Sequence, residues 1–503
     1  MEQNIGRSVK DKIIYLAGCL GLDVDVRDSL IEMLKSSDIK DFNMGQGLIS
    51  NFVAERNSSM LNECQKKAFD EIVEYLDTNE NEYGGIVLKG YAGTGKTFLI
   101  GKIISWYTTM YPSKHISMTA PTNKAVNVLY NSRVRSFYED EMNIEYITIH
   151  KLLGIKEVID DEGNVSFVES MLNSMAKTDV IIIDETSMLP DKLCNLLWKY
   201  DKKLIFIGDP LQIPPVNMKD SIPFRDPESA NLKVLELDKI MRQAEGNPII
   251  GKSIQIREHI NDEYPIKRRN SEIINGTGVV YLKDYGSEVT SQVLRTYFSC
   301  DRYKEDKNWM KVISWTNAMV RYYNNAVRNI LYPNSRERFM PGELLVAEDI
   351  LRDSTKFRTM AFTSEEFIVK ESYVADNHVK DGDFEIQLPF YFINARSLMT
   401  GKDLTLTVVH EDYYDEFKKI MSGYRSTCAK VKNKELWKNF FNVYGSNNKV
   451  DYGYSITAHR SQGSTYGNVM LVESDINHNP NIVERNRIKY TAYTRAKEKL
   501  FVL

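Results

Sequence analysis

The sequence predicts an α/β protein with two parallel sheets, each interrupted by a β-rich addition. The first observation is that apolar runs such as IVLKG, HISMTAP, VIIIDE and KLIFIGD alternate with helical stretches between residues 85 and 209. Strand followed by helix, repeated, is the pattern of a parallel sheet. The second is that this alternation begins again near residue 247. The third is that it is lost twice, in a hairpin-like segment and in a long stretch of strand-like runs.

The composition is that of a soluble globular protein. The chain has 503 residues, of which 42% are hydrophobic and 27% are charged, with a net charge of −4. A nucleic-acid site would therefore be a local basic groove and not a global field. The five cysteines form no CxxC pair, which argues against a zinc site or a disulfide framework. No apolar run reaches membrane-spanning length, and the first residues lack a signal peptide, so we expect a cytoplasmic protein.

The rhythm of the elements predicts three segments along the chain. Residues 1–57 form an N-terminal helical extension that ends in a polar stretch, residues 58–246 a first α/β domain, and residues 247–503 a second. We place the hairpin at about 151–172 in the first domain. The β-rich insertion spans about 343–450 of the second domain.

The run GYAGTGKT at 90–97 follows an apolar strand and precedes an apolar helix. This spacing is that of a P-loop, in which glycines let backbone N–H groups surround phosphate oxygens. The lysine is expected to reach the β- and γ-phosphates, and Thr97 to bind Mg²⁺. The predicted nucleotide-binding residues are Gly90, Ala92, Gly93, Thr94, Gly95, Lys96 and Thr97.

The run VIIIDET at 180–186 delivers two carboxylates to the end of a strand, where ligands bind in open α/β sheets. Asp184 is placed to hold Mg²⁺ through water. Glu185 is the candidate base for the attacking water. The two motifs together predict a P-loop NTPase that uses ATP and Mg²⁺, and go no further.

Four more motifs carry a resemblance to the superfamily 1 helicases. The runs TAPTNKAV, GDPLQIPPV, ITAHRSQGST and KYTAYTRAK resemble motifs Ia, III, V and VI of that family, in the family's order. The likeness covers residues 61–503, and the form of motif III is similar to the RecD-like branch, in particular to its phage-encoded members. It implies two RecA-like domains, and ATP hydrolysis coupled to 5′→3′ movement on single-stranded DNA and to duplex unwinding.

The resemblance also assigns roles around the nucleotide. Gln212 would sense the γ-phosphate, and Gln65 would hydrogen-bond adenine. Arg242 and Arg495 match the family's arginine fingers, although a surface salt bridge is an alternative for Arg242. Gly463 of motif V would border the nucleotide.

A nucleic-acid track follows from the same likeness. Strand binding needs polar groups for the backbone and aromatic rings for the bases. His150 could instead be structural, and Trp315 could belong to the core. The predicted contacts are Pro121, Thr122, Asn123, His150, Phe167, Trp315, Thr316, Asn317, Thr457 and His459.

The two β-rich additions have counterparts in the resemblance. The hairpin would be a strand-separating pin, and Phe167 would stack on a base at the fork, unless it is an ordinary packed phenylalanine. The insertion would be an SH3-like domain that braces the pin.

The implied partners are single-stranded and fork DNA, with a single-strand-binding protein as a further candidate, and the motor is expected to be monomeric. A phage-encoded protein would act in the host cytoplasm, in DNA replication, recombination or repair. Two other functions stay open: an RNA helicase of the same superfamily, and an ATP-gated single-strand-binding protein without unwinding activity. A P-loop switch or transporter ATPase gives no reason for motifs Ia, V and VI.

Overall fold

The apolar runs of the sequence form buried strands of two parallel sheets in the computed structural model. The structure describes residues 9–18, 20, 22, 24–78, 83–134, 143–170, 173–215, 220–239, 246–267, 269–282 and 288–503. The elements that precede residue 240 are α1 (Val9–Gly18), α2 (Val24–Ser36), α3 (Phe42–Ser58), α4 (Glu63–Asp77), β1 (Gly85–Gly90), α5 (Lys96–Met110), β2 (Ile116–Ala120), α6 (Asn123–Val134), β3 (Ile144–Thr148), α7 (Ile149–Leu152), β4 (Ile155–Ile159), β5 (Val165–Glu169), β6 (Val180–Ile183), α8 (Asp191–Leu197), β7 (Lys203–Gly208), α9 (Ile222–Arg225) and β8 (Leu232–Leu237).

The remaining elements form the second sheet and the insertion. They are α10 (Pro248–Glu258), β9 (Glu272–Ile274), β10 (Thr277–Tyr281), α11 (Glu288–Phe298), α12 (Asp301–Glu305), β11 (Met310–Ser314), α13 (Asn317–Leu331), β12 (Leu344–Ala347), β13 (Leu351–Arg352), β14 (Thr359–Ala361), β15 (Glu366–Asp381), β16 (Phe384–Ser397), β17 (Asp403–Val409), α14 (Tyr414–Val431), α15 (Lys434–Gly445), β18 (Val450–Tyr452), β19 (Ser455–Thr457), α16 (Ala458–Ser461), β20 (Tyr466–Leu471), α17 (Glu473–Ile476), α18 (Ile482–Tyr493) and β21 (Ala496–Val502).

The first unit is built on a six-stranded sheet in the order β3-β2-β6-β7-β1-β8, in which every pairing is parallel. All four residues of β6 are apolar and buried, as expected where helices cover both faces of a sheet. The second unit has the order β19-β11-β20-β21-β10-β9, with only β9 antiparallel. The α/β fold class with two parallel sheets is therefore confirmed.

The N-terminal helices pack on the first unit. The polar stretch after α2 is itself a helix, α3, which corrects the sequence-based description of this segment. Asp41 caps it by accepting a hydrogen bond from the backbone N–H of Met44 at 2.8 Å. Ile49 and Val53, one helical turn apart, enter the same apolar cluster as Ile103 of α5. Leu48, Phe52 and Ala54 pack against the same cluster, so apolar contacts fix this helix on the first unit.

The hairpin consists of β4 and β5, which pair antiparallel from Ile155↔Glu169 to Ile159↔Val165. Its turn is closed by Asp160, whose carboxylate accepts backbone N–H groups of Glu162 and Asn164 at 2.9 and 2.8 Å. The hairpin therefore projects from the first unit as a two-stranded ribbon.

The insertion is a five-stranded antiparallel sheet in the order β17-β16-β15-β12-β18. Two helices, α14 and α15, follow its third long strand, β17. Lys432 adopts a left-handed conformation with φ of 51°, and Asn433 caps the second helix by accepting backbone N–H groups of Glu435 and Leu436. A residue with positive φ followed by a capping asparagine ends one helix and begins another.

No helix in the described part of the chain combines the length and hydropathy needed to cross a bilayer.

Candidate nucleotide and nucleic-acid site

The loop between β1 and α5 has the backbone of a phosphate cradle. Gly93 and Gly95 have φ values of 85° and 80°, which side chains other than glycine rarely adopt. A Cβ added to Gly90 would lie 2.8 Å from Thr94 Oγ1, so the loop is closed too tightly for a larger residue. Helix α5 begins at Lys96, and its N-terminal N–H groups and dipole favour an anion at this loop.

Lys96 is partly buried beneath this loop. Its Nζ donates to the carbonyl oxygen of Tyr91 at 3.2 Å and to that of Gly90. Desolvation lowers the pKa of Lys96, and the nearby carboxylates of Asp209 and Asp184 only partly oppose this effect. A phosphate would supply the compensating negative charge, which fits the predicted role of the lysine.

Asp184 and Glu185 stand at the end of β6, facing Lys96. The Glu185 backbone has a φ of 52°, unusual for a non-glycine residue, and its N–H donates to Asp184 Oδ1 at 2.9 Å. Desolvation, reinforced by the Asp184 charge, raises the pKa of Glu185 to about 7. Desolvation also raises the pKa of Asp184. The strained turn thus holds two carboxylates with little solvation, a state typical of reactive sites.

Magnesium fits the oxygen donors of this site. The Thr97 hydroxyl and the Asp184 carboxylate are hard oxygen ligands, and no cluster of three or more metal-ligating acids, histidines or cysteines occurs among the described residues. Mg²⁺ is usually held by one or two protein oxygens together with substrate phosphates, so a small donor set suits it.

Arg495 reaches the same cleft from the second unit. It is 6% exposed and donates to the carbonyl oxygens of Thr491 and Ser464 at 2.9 and 3.1 Å. Its charge acts on both Lys96 and Glu185. It adds to the desolvation that lowers the pKa of Lys96, and it partly opposes the desolvation that raises the pKa of Glu185.

Gly463 is brought to the cleft by the loop that follows α16. A Cβ added to it would lie 3.8 Å from Glu185 Oε1 and 3.2 Å from the Ala125 Cβ, and its φ is 74°. Glycine at this position therefore allows the second unit to approach the carboxylates of the first.

Gln212 lies under this loop and is 6% exposed. Its Oε1 accepts a hydrogen bond at 3.3 Å from Nε2 of Gln462, which also donates to Ser187 Oγ at 3.0 Å. Gln462 was not among the predicted site residues. Its place directly before Gly463 in the motif V run was the available signal.

A second contact between the units was also missed. The hydroxyl of Tyr490 on α18 donates to the carboxylate of Asp209, which directly follows β7 and is 1% exposed. The Asp209 charge also partly opposes the desolvation that lowers the pKa of Lys96. A carboxylate at the end of a buried parallel strand was the signal that could have identified it.

Gln65 lies behind the phosphate loop and is fully buried. Its Nε2 donates to the Thr94 carbonyl at 3.0 Å, and its Oε1 accepts the Asn62 backbone N–H at 3.2 Å. Gln65 thus buttresses the loop in this structure, and its contact with adenine stays a prediction. Arg242, the other predicted finger, lies outside the described residues.

Most predicted track residues follow the carboxyl ends of strands in the two sheets. The segment 121–123 comes after β2, the segment 315–317 after β11, and Thr457 and His459 at or after the end of β19. His150 is exposed at the start of α7, after β3. Ligands bind at these ends of parallel sheets. Phe167 stands apart on β5, and 57% of its surface is exposed.

Asp475 orients one part of this surface and was not predicted. Its carboxylate accepts the backbone N–H groups of Trp315 and Thr316, both at 2.8 Å, and the Thr316 hydroxyl at 3.0 Å. Trp315 is partly exposed and packs against the core of the second unit, which is the alternative that the sequence left open, and its contact with a strand stays a prediction.

Comparison with known proteins places these features in a family. The model described as AAA domain matches residues 60–274, and the model described as UvrD-like helicase C-terminal domain matches residues 452–503. Uncharacterized protein R530 of Acanthamoeba polyphaga mimivirus is 24% identical, with 88% of this chain and 99% of the relative covered. The ATP-dependent DNA helicase dda of Enterobacteria phage T4 is 25% identical, with 88% and 98% covered.

Among solved structures, one of two coordinating Pif1 helicases at forked double-stranded DNA aligns with a TM-score of 0.46 and 16% identity, covering 88% of this chain and 92% of that chain. The motif order and the two matched domains agree with the sequence relatives. The chain belongs to the superfamily 1 helicases.

Proposed function

We propose that this protein is an ATP-driven DNA helicase that moves 5′→3′ on single-stranded DNA and opens duplexes. One observation carries the proposal: Arg495 of the second unit is near Lys96 and Glu185 of the first unit, in one cleft. Hydrolysis of ATP in this cleft changes the negative charge that lies between Lys96 of the first unit and Arg495 of the second. Their separation can therefore follow the nucleotide state, which is what a stepping motor needs.

The residues of the cleft divide the chemistry between them. Lys96 neutralises the β- and γ-phosphates, Glu185 accepts a proton from the attacking water, and Arg495 stabilises charge on the transferring group. Thr97 and Asp184 would hold Mg²⁺, which supplies further charge neutralisation when bound. Gln212 links this cleft to the second unit through Gln462.

The track would run over the strand ends of both units. Proline, threonine and asparagine at 121–123 serve one unit, and 315–317, Thr457 and His459 serve the other. A strand held at both places advances when the distance between them changes. The relative called an ATP-dependent DNA helicase supports DNA as the substrate.

The hairpin is proposed to act as the strand-separating pin, and the SH3-like insertion as its brace. The turn at Gly163 lies flat against the Trp437 ring, where an added Cβ would be 2.5 Å from the ring. The Lys434 backbone N–H also donates to Asp161 Oδ1 at 3.0 Å. These contacts support a rigid wedge with Phe167 exposed on one strand.

Unwinding of two labelled duplexes, with a 5′ or a 3′ single-stranded tail, tests the proposal. We expect ATP- and Mg²⁺-dependent opening of the 5′-tailed duplex alone. Opening of only the 3′-tailed duplex would reverse the direction. Faster ATP turnover with RNA than with DNA oligonucleotides would indicate an RNA helicase. ATP-dependent strand binding with no opening of either substrate would indicate a binding protein without unwinding activity.

ATP turnover should depend on pH through Glu185. A carboxylate accepts a proton only when it is ionised, and its pKa is raised to about 7. The kcat/KM for ATP should therefore be highest above that pH and fall by up to about tenfold per unit below it. A profile from acid to alkaline pH at saturating single-stranded DNA measures this. A flat profile through neutral pH would remove Glu185 from the proposed role.

Replacement of Phe167 by alanine should impair strand separation and leave translocation unchanged. One base–aromatic stack is worth roughly 1–3 kcal/mol, so unwinding should slow at least about fivefold. Val168→Ala is the matched control, because this exposed neighbour points to the opposite face of the ribbon. Unwinding and single-strand translocation rates are compared. Equal losses in both, or equal effects of the two variants, would contradict the wedge.

A further inference from the structure

A largely buried ion cluster connects the two units and the insertion. We call Lys124, Lys311, Glu366 and Tyr466 the junction cluster. Glu366 Oε1 lies 3.0 Å from Lys311 Nζ and 3.5 Å from Lys124 Nζ. Lys124 Nζ also donates to the Tyr466 hydroxyl at 3.1 Å. One carboxylate therefore serves two ammonium groups, and one of these also holds a tyrosine.

The cluster is shielded from water. The side-chain exposure is 0% for Lys311, 10% for Glu366 and 18% for Lys124. Although burial alone would raise it, the ammonium groups of Lys124 and Lys311 lower the pKa of Glu366 to about 2. The cluster therefore stays charged at physiological pH. Buried ion pairs often add little stability over apolar side chains, so the significance of this one lies in what it joins.

Each member comes from a different structural element. Lys124 stands on α6, directly after the track segment 121–123, in the first unit. Lys311 belongs to β11 of the second unit, and Glu366 is the first residue of β15 in the insertion. The cluster is thus the point where all three parts meet through charged side chains.

Tyr466 connects the cluster to the nucleotide cleft. It is fully buried at the start of β20, and its backbone N–H donates to the carbonyl oxygen of Arg495 at 2.8 Å. The Lys124 ammonium lies 5.5 Å from the centre of the Tyr466 ring. A displacement of Arg495 in response to nucleotide would therefore move Tyr466, and the Tyr466 side chain would carry the displacement to Lys124.

Strand β15 connects the cluster to the hairpin. It starts at Glu366, and Val379 near its other end joins the apolar cluster that contains Trp437. The Trp437 ring is the surface on which Gly163 of the hairpin turn lies. A single strand of 16 residues thus spans the distance between the cleft side of the insertion and the pin.

We propose that Tyr466, Lys124 and Glu366 of the junction cluster transmit the closing and opening of the nucleotide cleft to the hairpin, with Lys124 as the positioning residue on the first unit. The inference rests on the proposed helicase function. It assigns to Lys124 a role in coupling, separate from hydrolysis and from strand binding. Loss of Lys124 should therefore uncouple ATP turnover from strand separation.

The test compares Lys124→Met with Lys311→Met in the full chain, using base pairs opened per ATP hydrolysed. Lys311→Met removes one of the two ammonium groups that pair with Glu366, but it leaves the contact between Lys124 and Glu366 in place. We expect Lys124→Met to lower the coupling ratio about tenfold, within the usual range for coupled sites, while DNA-stimulated ATP turnover stays within about twofold. Lys311→Met, and Asp403→Asn in an exposed ion pair of the insertion, should keep the ratio.

Thermal unfolding verifies that each variant is folded, and Lys124→Gln, which keeps a polar head group, replaces Lys124→Met if that protein does not fold. Lys124→Arg should restore the ratio. Parallel loss of ATP turnover and unwinding in Lys124→Met, an equal loss of coupling in Lys311→Met, or an unchanged ratio would overturn the inference. If the unaltered protein opens neither tailed duplex, it is the proposed helicase function that fails.

Discussion

Replacement of Arg495 by alanine is expected to lower ATP turnover at saturating ATP and single-stranded DNA by about 10³-fold or more. The guanidinium approaches the cleft from the second unit, where its charge acts on Lys96 and Glu185. Positive charge at this position stabilises the transferring phosphoryl group only when the two units are closed. ATP binding should remain, because the phosphate loop and Lys96 belong to the first unit alone.

Steady-state turnover and the affinity for a fluorescent ATP analogue measure the two effects separately. Arg485→Ala is the matched control, since Arg485 lies on α18 and donates to the Glu263 carbonyl at 3.0 Å, away from the cleft. Arg495→Lys keeps the charge but not the planar fork, so we expect partial loss. Turnover by Arg495→Ala within a few-fold of the unaltered protein would show that Arg495 only holds the Thr491 and Ser464 carbonyls.

The local parts of the fold and site could be predicted from the sequence. The phosphate loop and the carboxylates at 184 and 185 each follow an apolar strand within a few residues. Such signals need only a short window, because strand, turn and helix are adjacent in the chain. The strands β1, β2, β6 and β7 overlap the apolar runs that predicted them.

Contacts between distant segments could not be predicted in this way. The hydrogen bond from Gln462 to Gln212 joins residues 250 positions apart, and that from Tyr490 to Asp209 joins residues 281 positions apart. Their side chains carry no periodic pattern, and only the closure of one unit on the other brings them together. The ion pair between Glu366 and Lys124 likewise could not be predicted, because only the tertiary fold places Lys124 beside the strand that begins at Glu366.

Two helices near polar or charged segments were not predicted for a different reason. Helix α3 carries apolar residues between polar ones and glycines, and only Ile49 and Val53 among them are buried hydrophobic side chains. That helix is stabilised by packing against α5. Such a tertiary contact cannot be inferred from the helix propensities of the residues in the segment. The break between α14 and α15 was visible in Asn433, a good capping residue, but the surrounding lysines and glutamates continue to favour a helix.

Replacement of Glu185 by glutamine should preserve nucleotide and DNA binding but slow hydrolysis by about 10²–10⁴-fold, the usual contribution of a positioned general base. Glutamine matches the size of glutamate, so the strained backbone with a φ of 52° and the hydrogen bond to Asp184 Oδ1 should persist. What is lost is the ionised carboxylate that can accept a proton from water.

The same variant connects hydrolysis to the pH dependence. In the unaltered protein the rise in kcat/KM through neutral pH reports the ionisation of Glu185, so in Glu185→Gln the residual turnover should be independent of pH in that range. Asp191→Asn, in an exposed ion pair with Arg225, controls for the loss of one negative charge in the first unit. A Glu185→Gln protein with normal turnover, or one that keeps the pH-dependent rise, would require another base, and Asp209, buried beside Lys96, would then be the residue to replace.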